Sequence, residues 1–431
     1  MNRKLLIVDV AALGFDLLQS AGQTEWEGLT FRPTQSVLPA VTCTVQASFR
    51  TALLPLGHGM VANGRYFPQL RKVMFWEQSA ALVEGERIWA RFRERGNTVG
   101  MMFWQQSMGE DVDLLLTPAP IHTHGGGMVM DCYGKPADLY EKLQAVAGGK
   151  FALHRYWGPL AHAKVGDWIA RACGEVLTNP ALAPDLLLTY LPSLDYDLQR
   201  HGPDHPKSAI ALTRALQQLE TLLTAARRGG YEVLIFGDYA IAPVATEACF
   251  PNRVLAEAGL LALRDVRGRL YPDFHRSRAF AVVDHEVAHV HVPDRRDVER
   301  VEAVLAEVPG VGDILGASGK SEHGLGHPNA GDLVLLADPG RWFAYPWWAD
   351  RRRAPDYATH IDIHNKPGFD PCELLFGWPP ISVSQDTSRI AGSHGHIHGG
   401  REVAWASTLP LSSPPENLID LAQMVRHWLE N

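Results

Sequence analysis

The sequence predicts an α/β protein, a mostly parallel sheet flanked by helices and carrying an inserted α+β lobe. Three features predict it. Lys4 to Gly14 (KLLIVDVAALG) has the apolar run of a strand buried on both faces, with Asp9 near its carboxyl end, where open α/β sheets place their ligands. Asp185–His205 and Tyr231–Val244 open on similar buried strands that lead into acidic residues. Helix-period segments alternate with these strands, the order expected of βαβ units.

Composition bounds the class. At 431 residues, 46% hydrophobic and 20% charged, the chain is long enough for one large core and a smaller lobe. A net charge of −8 with no basic run longer than Arg351-Arg352-Arg353 argues against a nucleic-acid scaffold. No apolar run reaches membrane-spanning length, and the N-terminus begins with a strand rather than a signal peptide, so a cytoplasmic location is expected. The 5 cysteines are odd in number, scattered and never in CxxC, which signals neither a disulfide framework nor a zinc ribbon.

Leu38 to Arg65 (LPAVTCTVQASFRTALLPLGHGMVANGR) holds a hydroxyl, an amide and a tight Pro/Gly turn series behind the first strand. Thr42 opens a helix-like segment there, as an N-cap or as a nucleophile beside free backbone N–H groups suited to a phosphate. Gly85–Trp104 reads as a helix, a Gly turn and a strand, whereas Gln105–Lys135 is loop-rich. Its His122 and His124, before three glycines, could line a phosphate site, although such loop pairs are more often surface. Pro136–Ala147 and Pro159–Leu177 supply two helices. Asp185–His205 reads as a strand running into an acidic loop, Ala209–Arg228 as a long helix, and Tyr231–Val244 as a strand ending in Asp238. Phe280–Asp294 alternates like one strand and carries Asp284, His285, His289 and His291; Arg295–Val311 reads as a helix. The aromatics Trp342, Phe343, Tyr345, Trp347 and Trp348 read first as core. Toward the C-terminus, His360 and His364 flank Asp362, and His394, His396 and His398 stand among glycines.

Taken together, VDV and P-x-V-T-x-T-x-x-x-x-x-R-T-x-L-L-P-x-x-H-G-M-V-A-N-G resemble the opening of the alkaline phosphatase superfamily, in its nucleotide pyrophosphatase/phosphodiesterase branch. The resemblance implies an alkaline-phosphatase-like core over residues 1–245 and 330–431, with a cap subdomain over 246–329. It implies Asp9 as a metal ligand, Thr42 as both nucleophile and ligand, and Asn63 as a catalytic donor. Ala52 stands where the family usually has Gly. The family's D-x-x-x-H before G-P falls on Asp195 and Gln199, with Asp197 and His201 as a shifted alternative pair. Its D-H-G falls on Asp238 and Tyr239, and its closing S-H-G on His394. Two expected imidazoles are therefore replaced, by Gln199 and Tyr239. His364 is the expected stand-in at Gln199, with His285 or His289 as contributors from the cap.

The chemistry implied is metal-dependent hydrolysis of phosphoric esters, whether phosphodiester, nucleotide pyrophosphate or phosphomonoester, through a phospho-threonine on Thr42. Two divalent ions, zinc or else manganese or iron, would assist. Asp9 and Asp238 would share one ion, and Asp195 and His394 would hold the other, about 3.5–4 Å away. The partner is then a small phosphate ester rather than nucleic acid or membrane. A phosphonate hydrolase or phosphotransferase would use the same scaffold; a sulfatase's C-x-P-x-R is absent around Thr42. A metal-poor binding protein that kept the fold is the alternative from another class.

Overall fold

The apolar run near the N-terminus becomes the middle of the main sheet. The computed structural model describes residues 3–125, 127–244, 247–411 and 413–431. Its 8-stranded sheet runs in the order Cys132–Lys135, Leu114–Pro118, Val99–Met102, Leu186–Leu191, Leu5–Val10, Glu232–Gly237, Val403–Ser407, Arg32–Thr34. Neighbours from Leu114–Pro118 through Glu232–Gly237 pair in parallel, and the outer strands pair antiparallel.

Side-chain alternation sets the layers. Leu6, Val8 and Val10 pack with the Lys164–Thr178 and Pro206–Gly229 helices, while Leu5 and Ile7 pack with the Thr42–Thr51 and Leu418–Glu430 helices. Asp9 shares the second face and so meets the Thr42–Thr51 helix. Register does the rest: Asp9 lies beside Tyr190 and Phe236, and Val10 lies beside Gly237, one residue before Asp238.

All of Thr42–Thr51 is buried, so its polar side chains need partners. Gln46 donates from Nε2 to Asp9 Oδ2 at 2.7 Å and accepts the Gln105 N–H at 2.7 Å. Ser48 Oγ meets His58 Nε2 at 2.8 Å. Arg50 donates to the carbonyls of Gln106 (2.8 Å) and Gln105 (2.9 Å) and to Glu110 (3.2 Å), which also receives Arg87. Val41, in extended conformation, is the N-cap rather than Thr42, which leaves the Thr42 hydroxyl free of capping duty. Ala52 ends the helix at φ 55, the left-handed conformation that explains why a glycine is expected there.

Two local expectations are corrected. After the Leu186–Leu191 strand the chain forms the helix Ser193–His201, not a loop, which puts Asp195 and Gln199 one turn apart on one face. Phe280–Asp294 is a hairpin rather than one strand: Phe280–Asp284 and Val287–His291 pair antiparallel and reverse at His285, whose φ is 59. The hairpin belongs to a 4-stranded antiparallel sheet completed by Leu333–Ala337 and Val311–Leu315. Its last two strands are separated in sequence by the Ala317–Glu322 helix, and Leu333–Ala337 lies beyond residue 329. The expected boundary at 245/246 and the middle glycine of the 125–127 run lie outside the described residues. No helix among the described residues is long and apolar enough to cross a membrane.

The hairpin tip docks on the core through charge. Arg401 grips Glu286 with two hydrogen bonds, of 2.8 and 3.0 Å, and the Glu286 N–H donates to the His394 carbonyl at 3.0 Å. The loop that ends in Glu110 is tied to the Thr42–Thr51 helix in a similar way. Glu110→Ala is expected to lower unfolding stability by about 3–5 kcal/mol, because Arg50 is left as a buried charge without its carboxylate. Urea denaturation measures it; a loss under about 1 kcal/mol would mean that the two carbonyls suffice for Arg50.

Candidate active site

Asp9 and Asp238 are fully buried at the ends of adjacent parallel strands. Gln46 satisfies one oxygen of Asp9. The N–H groups of Ala12 (3.1 Å) and Tyr239 (3.0 Å) satisfy Oδ1 of Asp238. Asp9 Oδ1 and Asp238 Oδ2 have no hydrogen-bond partner. Burial drives both carboxyls well above the usual carboxylate range, and the charge of Asp9 adds to the rise at Asp238. Thr42 lies beside them. Its Oγ1 shares a 3.3 Å hydrogen bond with the Tyr190 hydroxyl, and its hydroxyl pulls the Asp238 carboxyl back toward its ionised form. The neighbouring Cys43 is inert packing, its thiol pushed up to about 12 by burial.

Asn63 is fixed from two sides. Its Oδ1 accepts the Cys43 N–H at 3.0 Å, its backbone N–H donates to Asp284 Oδ2 at 2.7 Å, and its Nδ2 donates to Asp284 Oδ1 at 3.1 Å. The carboxamide orientation is thereby set, with one Nδ2 hydrogen left over for another acceptor.

Asp195, Gln199, Tyr239 and His394 form a hydrogen-bonded and stacked cluster in which the buried Oε1 of Gln199 has no partner. Gln199 Nε2 donates to Asp195 Oδ2 at 2.6 Å, and the Tyr239 hydroxyl donates to Oδ1 at 3.1 Å. Burial pushes the Asp195 carboxyl up to about 7, with both hydrogen bonds pulling it back. Burial also holds the Tyr239 phenol well above its usual range, so it keeps the proton it donates. The Tyr239 and His394 rings stack with centroids 3.5 Å apart and planes 2° apart. His394 Nδ1 meets the Ala40 carbonyl at 2.7 Å, which places the proton on that nitrogen, and burial lowers its pKa to about 3.

The remaining sequence candidates divide. His285 reaches the cluster, its ring 3.6 Å from that of His394 and 3.7 Å from that of Phe369, centroid to centroid. His289 does not: Nε2 meets the Val61 carbonyl at 3.0 Å and Nδ1 accepts the Gly331 N–H at 3.2 Å, so both nitrogens hold backbone. His364 is tied to the Phe75 carbonyl at 3.0 Å rather than to Gln199. Asp197 and His201, 3.9 Å apart, sit on the outer side of their helix, where Asp197 pairs with Arg200 and His201 stacks on His205. His122 and His124 face solvent. Sequence reasoning missed Gln46, Tyr190 and Asp284 as neighbours of the site. Gln46 had a signal, since it stands one helical turn after Thr42 in the same helix-like segment; the pairing of Asp284 with Asn63 had none.

Residues 17–370 match the family described as type I phosphodiesterase / nucleotide pyrophosphatase. The chain belongs to this family. Its chemistry is hydrolysis of phosphoric esters, and the protein is an enzyme of that class. Among solved structures, the type I phosphodiesterase fold is shared with phosphonoacetate hydrolase from Sinorhizobium meliloti (14% identity, TM-score 0.66, covering 100% of this chain and 96% of that one). Murine ectonucleotide pyrophosphatase/phosphodiesterase 5 is also similar (15% identity, TM-score 0.62, covering 99% and 95%), as is the human protein (16%, 0.60, 99% and 95%). The chain has no match among curated protein sequences.

The family depends on divalent metal ions, and this donor set fits them unevenly. Asp9 and Asp238 fit: each has a buried oxygen without a partner, and a cation would relieve the repulsion between them. Asp195 fits less well, because each of its oxygens already accepts one hydrogen bond, which a cation would have to share or displace. Among the described residues no three His, Cys, Asp or Glu side chains form a metal-holding group.

Two outcomes are expected. Asp284→Ala should lower kcat about 10–100-fold with KM nearly unchanged, by releasing the Asn63 carboxamide, and Asp284→Asn, which keeps an acceptor oxygen, should restore most of it. An equal loss in both variants would point to a requirement for the charge rather than for positioning. Burial lowers the His289 pKa from 6.5 to about 4. Between those values the unfolded chain binds a proton that the folded protein refuses, so stability falls as pH falls through this window. His289→Gln should flatten the fall by one proton in urea titrations across that range.

Proposed function

We propose that the protein hydrolyses small phosphoric esters with Thr42 as nucleophile, beside a divalent cation held by Asp9 and Asp238. The observation that carries this reading is the Thr42 hydroxyl at the start of a buried helix, free of capping duty and beside two carboxylates with unpartnered oxygens. Thr42 Oγ1 bonds to phosphorus as the bond to the leaving alcohol breaks, the threonine proton ending on that alcohol. Water then cleaves the Oγ1–phosphorus bond, restoring the hydroxyl and releasing phosphate from a monoester or a phosphomonoester from a diester. Tyr190 orients the hydroxyl. Asn63, locked by Cys43 and Asp284, has a spare N–H for a nonbridging oxygen, an interaction worth about 2.7–4 kcal/mol in comparable oxyanion sites. The helix N-terminus favours the negative phosphoryl group. The cation supplies charge neutralisation at the phosphoryl oxygens and favours the Thr42 alkoxide.

The two carboxylates and a hydroxyl are hard oxygen donors, which favours manganese or magnesium over zinc. The deciding experiment is a panel of p-nitrophenyl phosphodiester, phosphomonoester and phosphonate substrates with added divalent ions. Thr42→Ala is expected to lose about 10³-fold or more of the activity while unfolding stability changes by about 1 kcal/mol or less. Acid quenching of the native enzyme during turnover should trap a phosphoryl group on Thr42. Turnover within a fewfold of native in Thr42→Ala would remove Thr42 from the reaction.

A further inference from the structure

We propose that the cluster of Asp195, Gln199, Tyr239 and His394 is a metal-excluding plug, so that the protein binds one divalent ion per chain where its relatives' motif provides for two. The inference rests on Asp9 and Asp238 holding that single ion, and it goes further in assigning Gln199 and Tyr239 the task of shutting out the second. Both are replacements for imidazoles, and both turn donor hydrogens toward the carboxylate a cation would need. Gln199 Nε2 stands 2.6 Å from one oxygen of Asp195 and the Tyr239 hydroxyl 3.1 Å from the other. A cation approaching Asp195 meets the positive ends of two N–H and O–H dipoles. Turning the Gln199 carboxamide over would present an oxygen to a metal. It would also break the 2.6 Å bond and set that oxygen against the carboxylate until an ion arrived.

The third expected ligand is covered on its faces. His394 gives Nδ1–H to the Ala40 carbonyl, which leaves the lone pair on Nε2, but its ring lies flat against Tyr239 and close to His285. Tyr239 thus serves twice, closing Asp195 with its hydroxyl and covering His394 with its ring. The Asp9 and Asp238 half shows the opposite condition. Asp9 Oδ1 and Asp238 Oδ2 are carboxyl oxygens left without a geometric hydrogen bond, whereas both oxygens of Asp195 accept one from the residues that stand where the family has imidazoles, and the buried oxygen without a partner there is the neutral amide Oε1 of Gln199.

The test counts ions rather than turnover. Native protein, stripped with a chelator and titrated with manganese or zinc, is followed by calorimetry and by elemental analysis after desalting. One equivalent is expected. Gln199→His with Tyr239→Phe supplies an imidazole beside Asp195 and His394 and removes the hydroxyl donor while keeping the stacked ring; two equivalents are expected. Gln199→His alone is the second variant should the pair fail to fold, and it too is expected to exceed one equivalent. Two equivalents in the native protein would overturn the plug, as would a stoichiometry still at one in either variant with native circular dichroism. Native protein that binds none, with a gain of one in the double variant, would overturn the ion at Asp9 and Asp238 and uphold the exclusion at Asp195.

Discussion

The burial of Asp9 and Asp238 is the constraint on which the rest of the structure depends. Two carboxylates stand at the ends of adjacent parallel strands, offset by two residues and fully buried, each with an oxygen that has no hydrogen-bond partner. Such groups are costly to remove from water unless paired. The protein meets only part of that cost from within: Gln46 bonds one oxygen of Asp9, and the N–H groups of Ala12 and Tyr239 bond one oxygen of Asp238. The remainder is left for a cation or a proton, and a hydroxyl is stationed beside it.

The surroundings are built to hold that arrangement still. The Thr42–Thr51 helix is buried on every side, so it can approach the sheet closely only because Gln46, Ser48 and Arg50 each find a partner. On the opposite flank, the Phe280–His291 hairpin carries Asp284 to Asn63 and is anchored at its tip by Glu286 and Arg401. The small second sheet therefore acts on the site through two carboxylates, one orienting an amide and one fixing the tip. His285 takes a left-handed conformation at that reversal, which brings its ring onto His394.

The cluster around Asp195 stands where the family resemblance led us to expect the ligands of a second ion, and its side chains bond to one another instead. Asp195 and Gln199 retain the one-turn spacing that would let two ligands face one ion. With a carboxamide in place of an imidazole the same spacing produces an internal hydrogen bond. Tyr239 keeps an aromatic ring where a histidine is expected, yet the phenol hydroxyl reaches past the ring's edge to Asp195.

Much of the core was legible in the sequence because burial imposes periods on it. The runs at Leu5–Val10, Leu186–Leu191 and Glu232–Gly237 are continuous in apolar character apart from their ends, so their strands and the acids after them could be read directly. The Pro206–Gly229 helix was equally plain. The helix Ser193–His201 was hidden because it is short and its one aliphatic pair, Leu194 and Leu198, is set among polar and acidic residues that read like a loop. The reversal at His285 was hidden because an alternating pattern continues through it, and no glycine or Asn-Gly marks the turn. The sequence by itself determined the strands and the positions of Asp9 and Asp238 at their ends, since these depend on residue type and local period. Only the tertiary structure decided that His285 meets His394 while His289 and His364 are held by backbone carbonyls, and that Asn63 pairs with Asp284 at a separation of 221 residues. The physical reason is that a side chain's partner across the fold is chosen by the packing of whole elements, which no local spacing encodes.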